Sequence, residues 1–259
     1  MENGYQIIYA DPPWSYKELF NNDRILSKGN ARKKNNPKNN HEVQYSTMSI
    51  QELKDLSVDP YQIVYADPPW DYNVKTSWVL TAEGDFRDTV KKVKEGTNKD
   101  KYSTMLPEDI AALPIKDIID KDAACFMWTT DAHLPYALDI MKSWGFEYKN
   151  IGFIWVKKTK HGKQVKLLAP WTLKGAEVCL FGTRGAMLKH KKENNVCQVH
   201  EAERREHSRK PDIIRDEIKR MFPECKRLEL FARQQYPGWD AWGNEVDKFT
   251  EEEKTNALF

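Results

Sequence analysis

The tetrapeptide Asp-Pro-Pro-Trp occurs twice, at Asp11–Trp14 and Asp67–Trp70, each time directly after an apolar run, YQIIYA or YQIVYA. An acid at the end of a buried, β-branched strand puts a carboxylate where open α/β sheets bind their ligands. The two prolines hold the backbone extended and remove two amide donors, so the carbonyls beside the acid are left to accept from another group. A cluster of acceptors beside an aromatic plane suits a flat base that carries an amino group. On this reading Asp67 and the carbonyl of Pro68 each take one amino hydrogen. Pro69 stiffens the turn, and Trp70 or Tyr72 covers the base.

Such a carboxylate needs elements that hold it. Downstream of Tyr61–Ala66 the pattern alternates strands with helices. A long polar loop, Asp71–Lys101, comes first. Two short helices over Leu106–Ile119, interrupted by Pro114, lead to a buried strand at Ala123–Trp128. Leu134, Leu138 and Met141 recur at helical spacing up to Gly145, a suitable terminator. Strands follow at Ile151–Val156 and Glu177–Phe181, the latter running into a GTRG turn. Pro211 opens a helix with Ile214, Ile218 and Met221 on one face, and Arg227–Phe231 is a further strand. This alternation predicts an α/β fold with a mostly parallel sheet covered on both faces.

The copied front segment, with YSTM at Tyr45 and again at Tyr102, has no second body behind it. Two regions result: residues 1–60 as a partial duplicate of the catalytic-strand segment, and residues 61–259 as the catalytic domain. Because the body is present once, Asp67 rather than Asp11 is expected to act. The spare strand would add to a sheet edge, exchange with its twin or pair between subunits, as a homodimer or heterodimer.

Composition narrows the partners. The chain has 259 residues, 40% of them apolar and nine of them Trp, enough for a large core. Net charge is only +2, but Lys28–Lys38 and Lys157–Lys166 each carry five basic residues and no acid, fit for phosphate contacts. No apolar stretch approaches the ~20 residues needed to span a bilayer, and the amino terminus has no signal pattern, so a cytoplasmic or nuclear protein is expected. Cys125, Cys179, Cys197 and Cys225 lack paired spacing, and no metal is expected. Neither G-x-G-x-x-G nor a P-loop is present. Trp128, Trp144 and Trp155 read as core and His207 as a structural hydrogen-bonding group.

After Tyr61 the chain reads, in order, DPPW, YSTM, FMWTT, GFIWVKK, PWTLKGAEVCLFGTRG, REHSRKPD and LELFARQQYPGWDAWGNE. In that order it resembles the DPPW-type N6-adenine methyltransferases: the messenger-RNA adenosine methyltransferases and their bacterial and phage relatives. The resemblance covers about Tyr61 to Val246. It implies a Rossmann-like, S-adenosylmethionine-dependent methyltransferase fold with a seven-stranded sheet and permuted motif order. It also implies transfer of a methyl group to the 6-amino nitrogen of adenine in DNA or RNA. Carried over, Asp67 and Lys210 face the donor's amino-acid end, and Arg233, Asn244 and Glu245 its ribose hydroxyls. Trp171, Lys157 and Lys158 join Tyr72 on the substrate side. Two alternatives stand beside this: a nucleic-acid-binding partner subunit of another methyltransferase, and methylation of the 4-amino group of cytosine.

Overall fold

In the computed structural model of the chain, the structure describes residues 55, 59–70, 104–169, 171–206 and 208–249, with residues 79–80 and 86–87 as backbone. All of these fall within one compact unit, His41–Phe259. The first Asp-Pro-Pro-Trp copy, Lys28–Lys38, Tyr72 and His207 lie outside the described residues.

The elements, in chain order, are β1 Tyr61–Ala66, β2 Val79–Leu80, β3 Phe86–Arg87, α1 Pro107–Ala111, α2 Ile115–Ile118, β4 Ile119–Thr129, α3 Leu134–Ser143, β5 Glu147–Lys158, β6 Ala176–Arg184, β7 Val199–Glu203, α4 Ile213–Met221, β8 Arg227–Leu230 and β9 Asp240–Trp242. Seven strands form one sheet in the order β7-β5-β6-β4-β1-β8-β9. β1 pairs in parallel with both β4 and β8, β8 with β9, and β5 with β7. Only β6 runs against its neighbours, pairing antiparallel with β4 and β5. The expected seven-stranded, mostly parallel sheet is therefore present.

Chain order reverses beside β1: β4 to β7 lie on one side of it, β8 and β9 on the other. A crevice opens at such a reversal, outside the carboxyl ends of the strands. β1 is fully buried apart from Gln62, which is why its sequence is a continuous apolar run rather than an alternation. A register shift between Tyr61 and Ile63 puts Tyr61, Val64 and Ala66 into the core under α1–α3, with Met127, Ile140 and Trp144. Ile63 and Tyr65 point to the other face, into a core with Phe126, Trp128, Phe153, Ile214 and Ile218 of α4.

The helices lie where periodicity placed them. α1 and α2 are separated by Leu113–Pro114, and α3 ends before Gly145, whose φ of +88° needs no Cβ penalty. Strands β7 and β9, three to five residues long, lack a pattern long enough to read. The segment expected as one polar loop, Asp71–Lys101, contains the small antiparallel pair β2–β3. Trp128, Trp144 and Trp155 are core, at 3% exposure or less. Among the described residues, no helix is long and apolar enough to cross a membrane.

Candidate active site

Asp67 follows β1 directly and stands at the chain-order reversal. Its Oδ2 lies 2.6 Å from Lys210 Nζ, which is also 3.3 Å from Glu177 Oε2. Lys210 is only 8% exposed. It comes from the segment entering α4 and lies over the Trp128 ring, 5.5 Å from its centroid. Trp128 in turn donates its indole N–H to the Tyr65 hydroxyl at 2.6 Å.

Glu177 belongs to the PWTLKGAEVCLFGTRG segment, but nothing in that segment marks it as a site residue. Because β6 runs antiparallel, its amino end lies beside the carboxyl ends of its neighbours, and Glu177 arrives next to Asp67. A second cation, Lys157 from the end of β5, pairs with Glu177. Two ammonium groups thus face two carboxylates, and the balance of charge sets their titration. Burial pushes Asp67 above the ordinary carboxylate range, with Lys210 opposing it. Burial also acts on Glu177, but its two lysines outweigh it and hold the carboxyl at about 2. The paired carboxylates raise Lys210 against the effect of its own burial.

Three expectations change here. Trp70 is 4% exposed and its ring is stacked on His133, 5.0 Å between centroids and 18° between planes. It forms part of the core under α1–α3, so it cannot cover a base. The carbonyls after the acid are not wholly free either: Pro68 O accepts the Trp70 N–H at 2.9 Å, and Pro69 O the Met105 N–H at 2.8 Å. Each keeps a second lone pair. The latter bond ties the Asp-Pro-Pro-Trp turn to Met105, the last residue of the YSTM motif, so the two motifs read as separate in sequence form one structure. Lys157, expected on phosphate, is 12% exposed and committed to Glu177. Lys158 pairs with Glu201 of β7 at 2.9 Å.

The lysines of that run that do face solvent are Lys160, Lys163 and Lys166. They lie on a hairpin between β5 and β6, whose ladder includes Val165 N–H to Lys157 O at 2.8 Å and the reciprocal Leu167–Lys174 bonds. Gly175 is required there, since a Cβ would sit 2.3 Å from Val165 O. Beyond the bend the hairpin presents Leu168, Trp171 and Leu173 to solvent, with Trp171 at 95% exposure.

On the other side of Asp67, Arg233 follows β8 and binds Glu245 after β9 through both Nε (2.7 Å) and Nη2 (2.6 Å). Both nitrogens meet the same oxygen, Oε2, and the pair forms because the two strand ends converge: Ala232 N–H donates to Trp242 O at 3.0 Å. A Cβ on Gly243 would lie 2.5 Å from Ala232 O. Asn244 is exposed beside them. Ser208 and Phe231, each two residues before Lys210 and Arg233 respectively, adopt φ of 62° and 60°, local strain of the kind that gathers at functional sites.

Between these groups is a narrow cleft, open to solvent, lined by Asp67, Arg209, Lys210, Phe231, Arg233 and Phe249 among others. Its floor is the buried pair Arg215–Glu229, with Nη2 to Oε1 at 2.5 Å and Nε to Oε2 at 2.7 Å. Lys210, Arg233 and Asp67 are thus brought to one cleft. Trp171 and the exposed lysines lie on the separate hairpin. Among the described residues no cluster of metal ligands occurs.

The family profile that matches residues 61–245 is MT-A70. The Type II methyltransferase M.MunI of Mycoplasma sp is 34% identical over 194 residues, covering 72% of this chain and 78% of that protein. An N(6)-adenosine-methyltransferase MT-A70-like protein of Drosophila melanogaster is 29% identical over 72% of this chain. The N(6)-adenosine-methyltransferase catalytic subunit METTL3 of Homo sapiens is 26% identical over 79% of it. The chain spans 27% and 31% of the length of those last two.

Proposed function

The chain belongs to the MT-A70 family and is an adenine-N6 methyltransferase acting on DNA or RNA; from that premise we propose that Asp67, Lys210 and Glu177 form its reactive centre and that S-adenosylmethionine is the methyl donor. The observation that carries the reading is the Lys210–Asp67 pair, 2.6 Å apart, at the crevice where chain order reverses.

The residues fit the donor by their chemistry. An amino-acid end bears one cation and one anion, and the cleft offers one carboxylate, Asp67, and one ammonium, Lys210, already matched to each other. Arg233, Asn244 and Glu245 supply donors and acceptors for vicinal hydroxyls, and Phe231 an apolar wall. When bound, S-adenosylmethionine supplies a methyl group activated by its positive sulfur.

The chain's own task is to prepare the nucleophile. The lone pair of an adenine amino nitrogen is delocalised into the ring, so the nitrogen attacks poorly until it is reoriented. Asp67 accepts one amino hydrogen and the remaining lone pair of Pro68 O the other, which favours a pyramidal nitrogen. As positive charge develops on nitrogen, the Asp67 carboxylate, held in place by Lys210, stabilises it. The proton leaves after transfer, so no strongly basic group is needed. With Trp70 buried, the role of covering the base falls to Tyr72. Lys160, Lys163 and Lys166 hold the phosphate backbone and Trp171 contacts the nucleic acid beside it, while a duplex target presents its adenine flipped out.

Incubation with labelled S-adenosylmethionine and matched DNA and RNA oligonucleotides, with nucleosides identified by mass spectrometry, tests this. The expected product is 6-methyladenine. Formation of 4-methylcytosine, or no product from a folded chain that still binds nucleic acid, overturns the reading in favour of the two alternatives.

A further inference from the structure

Phe249 lies beyond the last strand, outside both hydrophobic cores, yet it is held at the cleft by several contacts. Its N–H donates to Arg233 O at 3.2 Å. The residue before it is anchored too, by Lys248 N–H to Glu245 O at 3.0 Å and by a Lys248–Glu245 ion pair. Two guanidinium groups approach the ring, with Arg209 Cζ 4.9 Å and Arg233 Cζ 5.5 Å from its centroid. Phe249 lines the same cleft as Asp67, Lys210 and Phe231. Arg209 Nε, beside it, is buried and has no hydrogen-bond partner among the described residues.

An aromatic ring in the core needs no further explanation, but one pinned at a cleft wall by its backbone and by two cations has a face to offer. The charged end of the cleft is taken up by Asp67 and Lys210. What remains includes the two aromatic side chains of the lining, Phe231 and Phe249. Aromatic walls suit a flat heterocycle. We infer that Phe249 is a donor-binding residue, whose ring packs against the adenine of S-adenosylmethionine and whose two arginine contacts hold it ready. The inference rests on the reading of this cleft as the donor site. The same geometry in a different role, a plug that must leave before the donor enters, makes the opposite prediction.

Calorimetric titration of the full chain with S-adenosylhomocysteine and with 5′-methylthioadenosine, which keeps the adenine but lacks the amino-acid end, separates the possibilities. Phe249→Ala and Phe249→Leu should each weaken both ligands about tenfold, the scale of aromatic stacking on a base, with an unchanged thermal midpoint. Phe249→Tyr should retain wild-type affinity. Undiminished binding by Phe249→Ala overturns the inference alone, and tighter binding assigns the plug. Failure of the unaltered chain to bind either ligand overturns the donor reading of the cleft as well.

Discussion

Lys210 Nζ lies 2.6 Å from Asp67 Oδ2, joining a residue at the end of β1 to one 143 positions later at the entrance of α4. The same ammonium reaches Glu177 at 3.3 Å, so one cation serves two carboxylates and a second, Lys157, completes the balance. Removing the shared cation leaves both carboxylates undercompensated.

Asp67→Asn preserves shape and leaves Lys210 paired with Glu177. Methyl transfer should fall about 10²–10³-fold, as when one preorganised group at a developing charge is lost, with little change in the thermal midpoint. Asp11→Asn should leave the rate as it is. A rate in Asp67→Asn equal to the wild-type rate means that the carboxylate does not hold the amino group.

Lys210→Met leaves both carboxylates without their shared cation. Urea unfolding should show a loss of about 3–5 kcal/mol. Adding Glu177→Gln should recover part of it, with a coupling of about 0.5–3 kcal/mol. Strict additivity of the two changes would show that the charges do not interact.

Glu177 is held at about 2 in the folded chain against 4.5 for an ordinary glutamate. A carboxyl depressed by folding adds stability that is present above its unfolded value and lost as pH falls through the folded one. The unfolding free energy should therefore decline between about pH 4.5 and 2, and Glu177→Gln should flatten the curve in that window. An unchanged acid limb in the variant contradicts the assignment of Lys157 and Lys210 as its partners.

Replacing Lys160, Lys163 and Lys166 by alanine should weaken nucleic-acid binding and flatten its dependence on salt. The log–log slope should drop by about 0.7–0.9 for each phosphate contact removed. Trp171→Ala should lower affinity without changing that slope. The rate at saturating nucleic acid stays the same in both, because neither group reaches Asp67. If the triple variant keeps the wild-type salt slope, the hairpin is not the phosphate contact.

By itself the sequence determined where Asp67 stands, because an apolar run closed by two prolines can only be a buried strand stopping at an acid. It likewise determined α1 to α4 and the central strands, whose periods are local properties of a few consecutive side chains. It also marked Lys210 and Arg233 through ordered motifs. Tertiary structure decided the rest. Lys157 belongs by sequence to a basic run open to phosphate, yet Glu177 claims it. Glu177 reaches the site only because β6 runs opposite to its neighbours, a choice no residue of β6 reveals. Beside the acid, Trp70 reads as a cover for a base, yet His133, 63 positions away, stacks on it. Strand direction and ion pairing depend on which distant segments are brought side by side, and that is settled by burial of the whole sheet rather than by any window of the chain.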